Sequence, residues 1–252
     1  MPWSARMASF ALPLAAVGQV GEEFFRERTG KPCQQLSSHL FCWDWARDNI
    51  DRYRTPALQQ FELVAISIVI GFAIAFTLAL VAHRRRWLRP PLLAGTGILY
   101  AIPSISFFLL LLPITGRSRE TAIIALSAYT LQIIFRNVTV GLDNVPASAK
   151  DSARGMGMTD RQILWRVEIP LATPEIIGGL RIATVGTIAI ATLAVFAGAG
   201  GLGTQILGEA NLRFPTTIII SIAIVMVMAL TFDAILLTIQ HFATPWRRAR
   251  AS

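Results

Sequence analysis

Two charged side chains stand inside long apolar stretches of the sequence, where a charge is costly and therefore informative. Arg181 lies a short way into one stretch, and Asp233 lies at a similar distance from the end of the last stretch. A guanidinium and a carboxylate at equal depth can meet. We predict a structural ion pair between them, and a substrate or proton site is the functional alternative.

A glycine pattern, Gly198-x-Gly200-x-x-Gly203, has the spacing of a dinucleotide-binding fingerprint. That fingerprint needs a preceding strand within a βαβ unit, whereas these glycines follow an apolar stretch long enough to span a membrane. We therefore predict a tight turn in which small residues permit close helix contact. The pattern Gly-x-x-x-x-Gly-Lys-Ser/Thr does not occur, so the chain cannot hydrolyse ATP through a P-loop.

The other reactive residue types are few and scattered. The three histidines lie far apart in the sequence and do not form a zinc-binding pattern; they are His39, His83 and His241. Cys33 and Cys42 are the only cysteines, and they form either a disulfide or two free thiols. We expect no catalytic residue, no metal site and no bound cofactor in this chain.

A polar segment with two glycines, residues 151–170, separates two apolar stretches and reads DSARGMGMTDRQILWRVEIP. Proline is tolerated in the first turn of a helix, so Pro146 indicates a short helix from there through Arg154. Gly155 and Gly157 then end that helix. The segment therefore begins with one short helix and a glycine hinge.

A second short helix is predicted after the glycines. Thr159 followed by Gln162 fits a capping box, so this helix should run from about Asp160 until Pro170 ends it. One side of the helix is apolar and the other is polar. The apolar side holds Ile163, Leu164 and Val167, and the polar side holds Asp160, Arg161 and Glu168. A bent helix pair with an apolar ridge is typical of a docking element for a cytoplasmic partner.

The same segment resembles the cytoplasmic motif of the membrane subunits, or permeases, of bacterial ATP-binding cassette importers. That motif is Glu-Ala-Ala, three residues, Gly, nine residues, then Ile-x-Leu-Pro, and this sequence has Asp151-Ser152-Ala153, Gly157 and Val167-Glu168-Ile169-Pro170 at that spacing. In that family the segment is the coupling helix region, which fits a groove on the ATPase subunit. The resemblance implies ATPase docking by Asp151, Ser152, Ala153, Gly157, Thr159, Val167, Ile169 and Pro170.

Further stretches resemble the branch of this family that imports quaternary amines and related osmoprotectants. They are Ile102-Pro103-Ser104, Phe135-Arg136-Asn137 and residues 154–159, 181–185 and 198–203. This resemblance covers roughly residues 63–240 and implies a permease that translocates glycine betaine, choline or a similar solute. It also implies three partners: cytoplasmic ATPase subunits, an external solute-binding protein and a second permease subunit that is identical or closely related.

Other classes of protein have different requirements. Importers of methionine or oxyanions share the docking motif and stay open as alternatives for the solute. A secondary transporter would need internal repeats and coupling-ion carboxylates within its spans, and the sequence shows neither a clear repeat nor enough acids. A membrane-embedded enzyme would need catalytic groups clustered at one depth, and the sequence has no obvious constellation of that kind.

The composition is that of a membrane protein. Of 252 residues, 54% are hydrophobic and only 15% are charged, and the mean hydropathy is +0.54. We predict an all-α polytopic membrane protein with about five transmembrane helices and a cytoplasmic coupling-helix segment. The spans are predicted at residues 61–82, 92–112, 121–134, 176–197 and 215–240. Pro103 and Ser104 interrupt the second span, and they either expose backbone groups to a pore or form a simple kink.

Positive charges orient the spans, because short cytoplasmic loops collect Lys and Arg. Such clusters follow the first and the last predicted span; they are Arg84, Arg85, Arg86 and Arg89, and Arg247, Arg248 and Arg250. We therefore expect a bacterial inner-membrane protein with its N-terminus outside and its C-terminus in the cytoplasm. The net charge of +8 is explained by these clusters, which can meet anionic membrane lipid, rather than by nucleic-acid binding.

The chain divides into three parts. Residues 1–60 are predicted to be an outer or interfacial arm, residues 61–242 the transmembrane permease domain and residues 243–252 a basic cytoplasmic tail. Within the arm, residues 8–20 form an apolar run that is short for a span. Three aromatic residues stand close to the first span, namely Trp43, Trp45 and Tyr53. We expect them to anchor the chain at the membrane interface, with an aromatic cage for a quaternary ammonium as the alternative.

Overall fold

The computed structural model describes residues 41–210 and 215–245, and all regular secondary structure within these ranges is helical. The α-helices are α1 (Trp43–Asn49), α2 (Arg54–Arg84), α3 (Arg89–Ala101), α4 (Ser104–Thr115), α5 (Arg119–Asp143), α6 (Ala147–Gly155), α7 (Asp160–Ile163), α8 (Ile169–Ala191), α9 (Gly203–Ala210) and α10 (Pro215–Ala243). Several of them are joined by 3-10 turns at Ile50–Tyr53, Arg86–Leu88 and Thr192–Ala197 and by a π-helical turn at Leu164–Glu168.

Four helical runs in the described ranges are long and apolar enough to cross a membrane. They are Trp43–Arg84, Arg119–Asp143, Asp160–Ala197 and Pro215–Ala243. A fifth apolar run, Arg86–Ala101 followed by Ser104–Thr115, is bent by 96° between α3 and α4. The all-α membrane fold is thereby confirmed, and the predicted five spans are reached when the bent pair counts as one.

α5 lies at the centre of the bundle, between α2 and α8. A Cβ added at Gly71 of α2 would lie 1.7 Å from Thr130 Oγ1 of α5, so this glycine lets the two helices approach closely. Two buried clusters hold the three helices together. Leu63, Leu126 and Ile188 belong to the first, and Phe135, Leu142 and Ala172 belong to the second.

The third span is longer than predicted, because α5 continues past residue 134 to Asp143. Hydropathy falls at Arg136 and Asn137, which is why the sequence alone indicates an earlier end. In the structure the Asn137 side chain packs on α8, where a Cβ added at Gly179 would lie 2.3 Å from the Asn137 Cβ. A polar side chain that another helix covers does not shorten a span.

The polar segment and the basic residues that follow α2 lie at the same end of the bundle. His83, in the last turn of α2, contacts Glu168 of the π turn. Arg89, at the start of α3, contacts Asp143 at the end of α5. The first contact joins the end of α2 to the segment between α5 and α8, and the second joins the start of α3 to the end of α5.

The glycine pattern forms a tight turn after the fourth span. Gly198, Gly200 and Gly201 have φ values of +75°, +79° and +86°, which other residues adopt only with strain. A Cβ added at Gly203 would lie 1.7 Å from the carbonyl oxygen of Thr192. The pattern follows a helical run rather than a strand. The predicted turn with close backbone contact is therefore confirmed.

The helix that begins at Asp160 does not end at Pro170, contrary to the prediction. It passes through the π turn into α8, with Pro170 in the first turn of α8. In the π turn the Ile169 N–H donates to the carbonyl of Leu164, five residues earlier. The wider turn relieves the contact between the proline ring and the preceding carbonyls that would otherwise break the helix. The second half of the polar segment, from Asp160, and the fourth span therefore form one helical run.

Two of the three aromatic residues before the first span differ from the expectation. Trp45 and Tyr53 are 8% and 2% exposed and belong to a buried cluster with Leu202 and Ile220. Buried rings form neither an interfacial anchor nor an open cage. Trp43 is exposed.

The first span also begins earlier than predicted, since α2 starts at Arg54. Cys42 is disulfide-bonded. Residues 8–20 and Cys33 of the predicted arm lie outside the described residues, as do Arg247, Arg248 and Arg250 of the predicted tail.

Candidate docking site

α6 ends in a Schellman motif at Gly157. The Gly157 N–H donates to the Arg154 carbonyl at 2.9 Å, and the Met158 N–H donates to the Ala153 carbonyl at 3.1 Å. Gly157 has a φ of +78°, which glycine adopts without strain. A Cβ added there would meet no atom within 4 Å. A side chain at this position would therefore project from the surface rather than into the chain.

α7 begins with the predicted capping box. The Gln162 N–H donates to Thr159 Oγ1 at 3.4 Å, and the Thr159 N–H donates to Gln162 Oε1 at 2.8 Å. These reciprocal bonds satisfy two N–H groups at the helix start and fix the direction in which α7 leaves the turn. The local sequence thus sets the angle between α6 and α7.

The predicted docking residues fall into two groups by exposure. The exposed ones are Asp151, Ser152, Gly157 and Thr159. Ala153 is buried, and Val167, Ile169 and Pro170 are partly buried. The exposed residues are accessible to a partner, whereas the others contribute to the shape of the segment.

The predicted apolar ridge is turned towards the chain's own core. Ile163 and Leu164 are 3% and 4% exposed, and Leu164 packs in the cluster that contains Phe135 and Leu142. Helical periodicity places the two residues on one side correctly, but that side already has a neighbour within the chain. A partner therefore cannot reach Ile163 or Leu164, whereas Val167 is only partly buried.

The outward face instead presents two large side chains that sequence reasoning missed. Met156, beside the Schellman glycine, is 70% exposed, and Trp165, in the π turn, is 51% exposed. The signal that could have revealed them is a methionine and a tryptophan within a stretch that is otherwise polar. Arg154, Arg161 and Arg166 are exposed in the same segment. The surface combines two large apolar side chains with charges of both signs, since Asp151 and Asp160 are also exposed and Asp151 pairs with Arg154 at 3.1 Å.

Glu168 is buried, contrary to its predicted place on the polar face. The residue is 7% exposed. One carboxylate oxygen lies 2.9 Å from His83 Nε2, and the other lies 3.0 Å from Lys150 Nζ of α6. Because an ionised carboxylate only accepts hydrogen bonds, His83 Nε2 carries a proton in this contact. Each oxygen is thus paired with a different helix.

The structure brings Arg181 and Asp233 together. Nε and Nη2 of Arg181 lie 2.8 Å from Oδ1 and Oδ2 of Asp233, respectively. Gln240 extends the contact, since its Nε2 donates to the Pro174 carbonyl at 3.1 Å and its Oε1 lies 3.5 Å from Arg181 Nη1. The paired geometry is that of a bidentate arginine–carboxylate bridge. It joins α8 to α10.

The bent pair breaks at Ile102 and Pro103, and Ser104 begins the new helix. Ile102 has an extended backbone, and the Pro103 carbonyl accepts from the Phe107 N–H at 2.9 Å as α4 starts. The hydroxyl of Tyr129, on α5, donates to the Ile102 carbonyl. A neighbouring helix thereby satisfies a backbone group that the break frees, as non-helical backbone at membrane depth requires.

Curated relatives of the chain are membrane permeases. The family described as binding-protein-dependent transport system inner membrane component matches residues 66–248. The osmoprotectant import permease protein OsmW of Salmonella typhimurium is 33% identical over 203 residues, which cover 79% of this chain and 94% of that protein. The choline transport system permease protein OpuBD of Bacillus subtilis is 36% identical over 80% of this chain and 88% of its own length. OpuBB of the same organism is 33% identical over 74% of this chain and 86% of its own length.

Solved structures share the fold at lower identity. A structure of the MetNI methionine ABC transporter in an inward-facing conformation has a TM-score of 0.70 and 19% identity, and it covers 76% of this chain and 96% of the compared chain. A crystal structure of an amino acid ABC transporter with histidines has a TM-score of 0.62 and 20% identity, over 79% of this chain and 98% of the other. These likenesses concern the fold alone.

Proposed function

The chain belongs to the family of binding-protein-dependent transport system inner membrane components, the permease subunits of ATP-binding cassette importers, and from that premise we propose that it translocates a quaternary amine osmoprotectant such as glycine betaine or choline. One observation carries the solute class. Relatives named for osmoprotectant import or choline transport are 33–36% identical to this chain over 74–80% of its length. The structural neighbours named for methionine and amino acids share only the fold.

Residues 151–170 dock a separate ATPase subunit. Four of the eight residues implied by the motif are exposed, and the Schellman glycine and the capping box fix the bend that presents them. Met156 and Trp165 act as the apolar anchors, because large exposed side chains of these types supply much of the binding energy at interfaces. The exposed arginines favour an acidic rim on the groove of the ATPase.

The docking end of the bundle faces the cytoplasm. Support comes from Arg84, Arg85 and Arg86, which follow α2 at the same end as the docking segment. With five spans this places the N-terminus outside, where an external binding protein delivers the solute, and the C-terminus inside. A second permease subunit, identical or closely related, completes the pathway. The ATPase subunits supply the energy, and this chain performs no covalent chemistry.

The membrane-embedded contacts have separate roles. The bridge between Arg181 and Asp233 is structural, because both acceptor oxygens and two of the donor nitrogens are used within the chain. The break at Pro103 and Ser104 belongs to the solute pathway, since broken helices place backbone groups beside a substrate in transporters. ATP-driven movement of the docking segment shifts the spans between inward-facing and outward-facing states.

Uptake of labelled glycine betaine, choline and methionine tests the proposed solute class. Cells that lack this chain are compared with cells that receive the native chain or the Gly157→Asp variant, and the amount of chain in the membrane is measured in each. We expect the native chain to restore uptake of glycine betaine or choline and the variant to fail although it is inserted. Restored uptake of methionine alone would contradict the solute class.

A further inference from the structure

Three structural elements meet at the buried carboxylate of Glu168. His83 belongs to the last turn of α2, Lys150 belongs to α6, and Glu168 ends the π turn that leads into α8. These partners lie 85 and 18 residues before Glu168 in the sequence. The contact therefore links α6, which leads into the docking segment, to the end of that segment and to the first span.

The carboxylate cannot separate from both partners while it stays buried. Its side chain is 9% exposed, whereas the side chains of His83 and Lys150 are 20% and 21% exposed. A buried charge that loses its partners is strongly destabilising, because water does not replace them. When α6 moves, Glu168 therefore either moves with Lys150 or pulls away from it at a large cost.

The surrounding backbone consists of short helices separated by a glycine turn and a π turn. Gly157 lies between α6 and α7 with no neighbouring atom at its Cβ position, so the turn is free on its outer side. The π turn lies between α7 and α8, and π turns within α-helices are frequent at functional sites. Glu168 contacts Lys150 of α6 and directly precedes α8, so it links the helices on either side of the Gly157 turn and the π turn. The Glu168 residue is buried, whereas Met156 and Trp165 are exposed.

We propose that Glu168 is a positioning residue that transmits displacement of the docking segment to α2 and α8 through its paired contacts with Lys150 and His83. It does not touch the ATPase or the solute. The inference rests on the proposed docking of an ATPase subunit to residues 151–170. Glu168 occupies the position between Val167 and Ile169, where the motif specifies no residue type.

The test uses the complete importer in lipid vesicles, with its ATPase subunits and its binding protein and with glycine betaine as the solute. Glu168→Gln keeps the shape of the side chain but removes the charge, so one of the two donors loses its acceptor. We expect the variant to bind the ATPase as the native chain does. The number of ATP molecules hydrolysed per glycine betaine transported should rise about tenfold, which is the scale of a typical coupling between two sites.

Asp143→Asn is the matched control. It also replaces an acid by its amide and removes an arginine contact at the same end of the bundle, but outside the docking segment. We expect it to leave the ratio of hydrolysis to transport unchanged. The double variant Glu168→Gln with Lys150→Gln should be no worse than the stronger single variant, because both remove the same contact.

The outcomes separate this inference from the proposed function. A native complex that binds no ATPase contradicts both. A native complex that transports glycine betaine, together with a Glu168→Gln complex of unchanged ratio, contradicts the inference alone. If glycine betaine is not transported, labelled choline replaces it in the same comparison, and a native complex that transports neither contradicts the proposed solute class. If the Glu168→Gln chain does not accumulate in the membrane, His83→Gln and Lys150→Gln replace it. Each should raise the number of ATP molecules hydrolysed per solute molecule transported, and an unchanged number in both contradicts the proposal.

Discussion

Arg181 of α8 and Asp233 of α10 form a bidentate ion pair, with two nitrogen–oxygen distances of 2.8 Å. The pair joins the helical run that contains the second half of the docking segment to the last span. A charge pair inside a helical bundle has two interpretations, a structural link or a site on the solute pathway. Substitution separates them, because the two interpretations predict different effects on folding and on transport.

Asp233→Asn should reduce the amount of folded permease in the membrane more than it alters solute preference. The unpaired arginine costs about 1–2 kcal/mol, which is less than for a fully buried pair and is still about 5–30-fold in the folded fraction. The folded amount is measured by gel filtration after mild heating in detergent. The double variant Arg181→Met with Asp233→Leu should recover both folding and transport. Normal folding of Asp233→Asn with changed selectivity would contradict the structural role.

Trp165→Ala should weaken binding of the ATPase subunit. Truncating a tryptophan that anchors an interface typically costs at least about 2 kcal/mol, or roughly 30-fold in the dissociation constant. Binding is measured with the chain in lipid nanodiscs and the purified ATPase. Trp87→Ala is the control, because Trp87 is 70% exposed but lies in the turn that follows α2, outside the docking segment. Equal weakening by both variants would argue against a docking surface at Trp165.

Gly157→Val should destabilise the end of α6 more than Gly157→Asn does. The φ of +78° costs a β-branched residue about 1–2 kcal/mol, whereas asparagine tolerates this region. Neither side chain meets a neighbour within the chain. Proteolysis of the segment in detergent reports the difference. If the two variants are cleaved at the same rate, the Schellman geometry does not control the segment.

Tyr129→Phe should destabilise the break between α3 and α4. The Ile102 carbonyl loses the hydroxyl that donates to it, and because this bond is only part-buried we expect a loss of about 1 kcal/mol, the lower end for an unsatisfied carbonyl. Thermal aggregation in detergent measures the loss. Tyr100→Phe is the control, because Tyr100 is 48% exposed on the neighbouring turn of α3. A Tyr129→Phe protein as stable as the native chain would show that the break does not depend on this bond.

Local features of the docking segment are predictable from the sequence because their causes are local. The capping box needs only Thr159 and Gln162, three residues apart, and the end of α6 needs only Gly157 at its αL position. The spans are predictable for the same reason, because their apolar residues are consecutive in the sequence. Both kinds of feature depend on nearest neighbours along the chain.

Features that depend on distant residues are not predictable in this way. Periodicity groups Ile163 with Leu164, but only the tertiary structure shows that both are buried, Leu164 in the cluster that contains Phe135 and Leu142. The sequence pattern predicts that Glu168 is a surface residue, and only the structure shows that His83 lies beside it. A proline within a sequence predicts the end of a helix, but at Pro170 the preceding π turn lets the helix continue into α8. The longer α5 has the same origin, because Asn137 is tolerated by a glycine on another helix.

ATP-dependent uptake by the purified complex tests the account most directly. The chain is isolated from native membranes with its partners, reconstituted into vesicles with binding protein on one side, and supplied with ATP on the other. The account predicts that labelled glycine betaine or choline accumulates with ATP and not with a nonhydrolysable analogue, and that an ATPase copurifies with the chain. Accumulation that needs no ATP and follows an ion gradient would contradict it and indicate a secondary transporter.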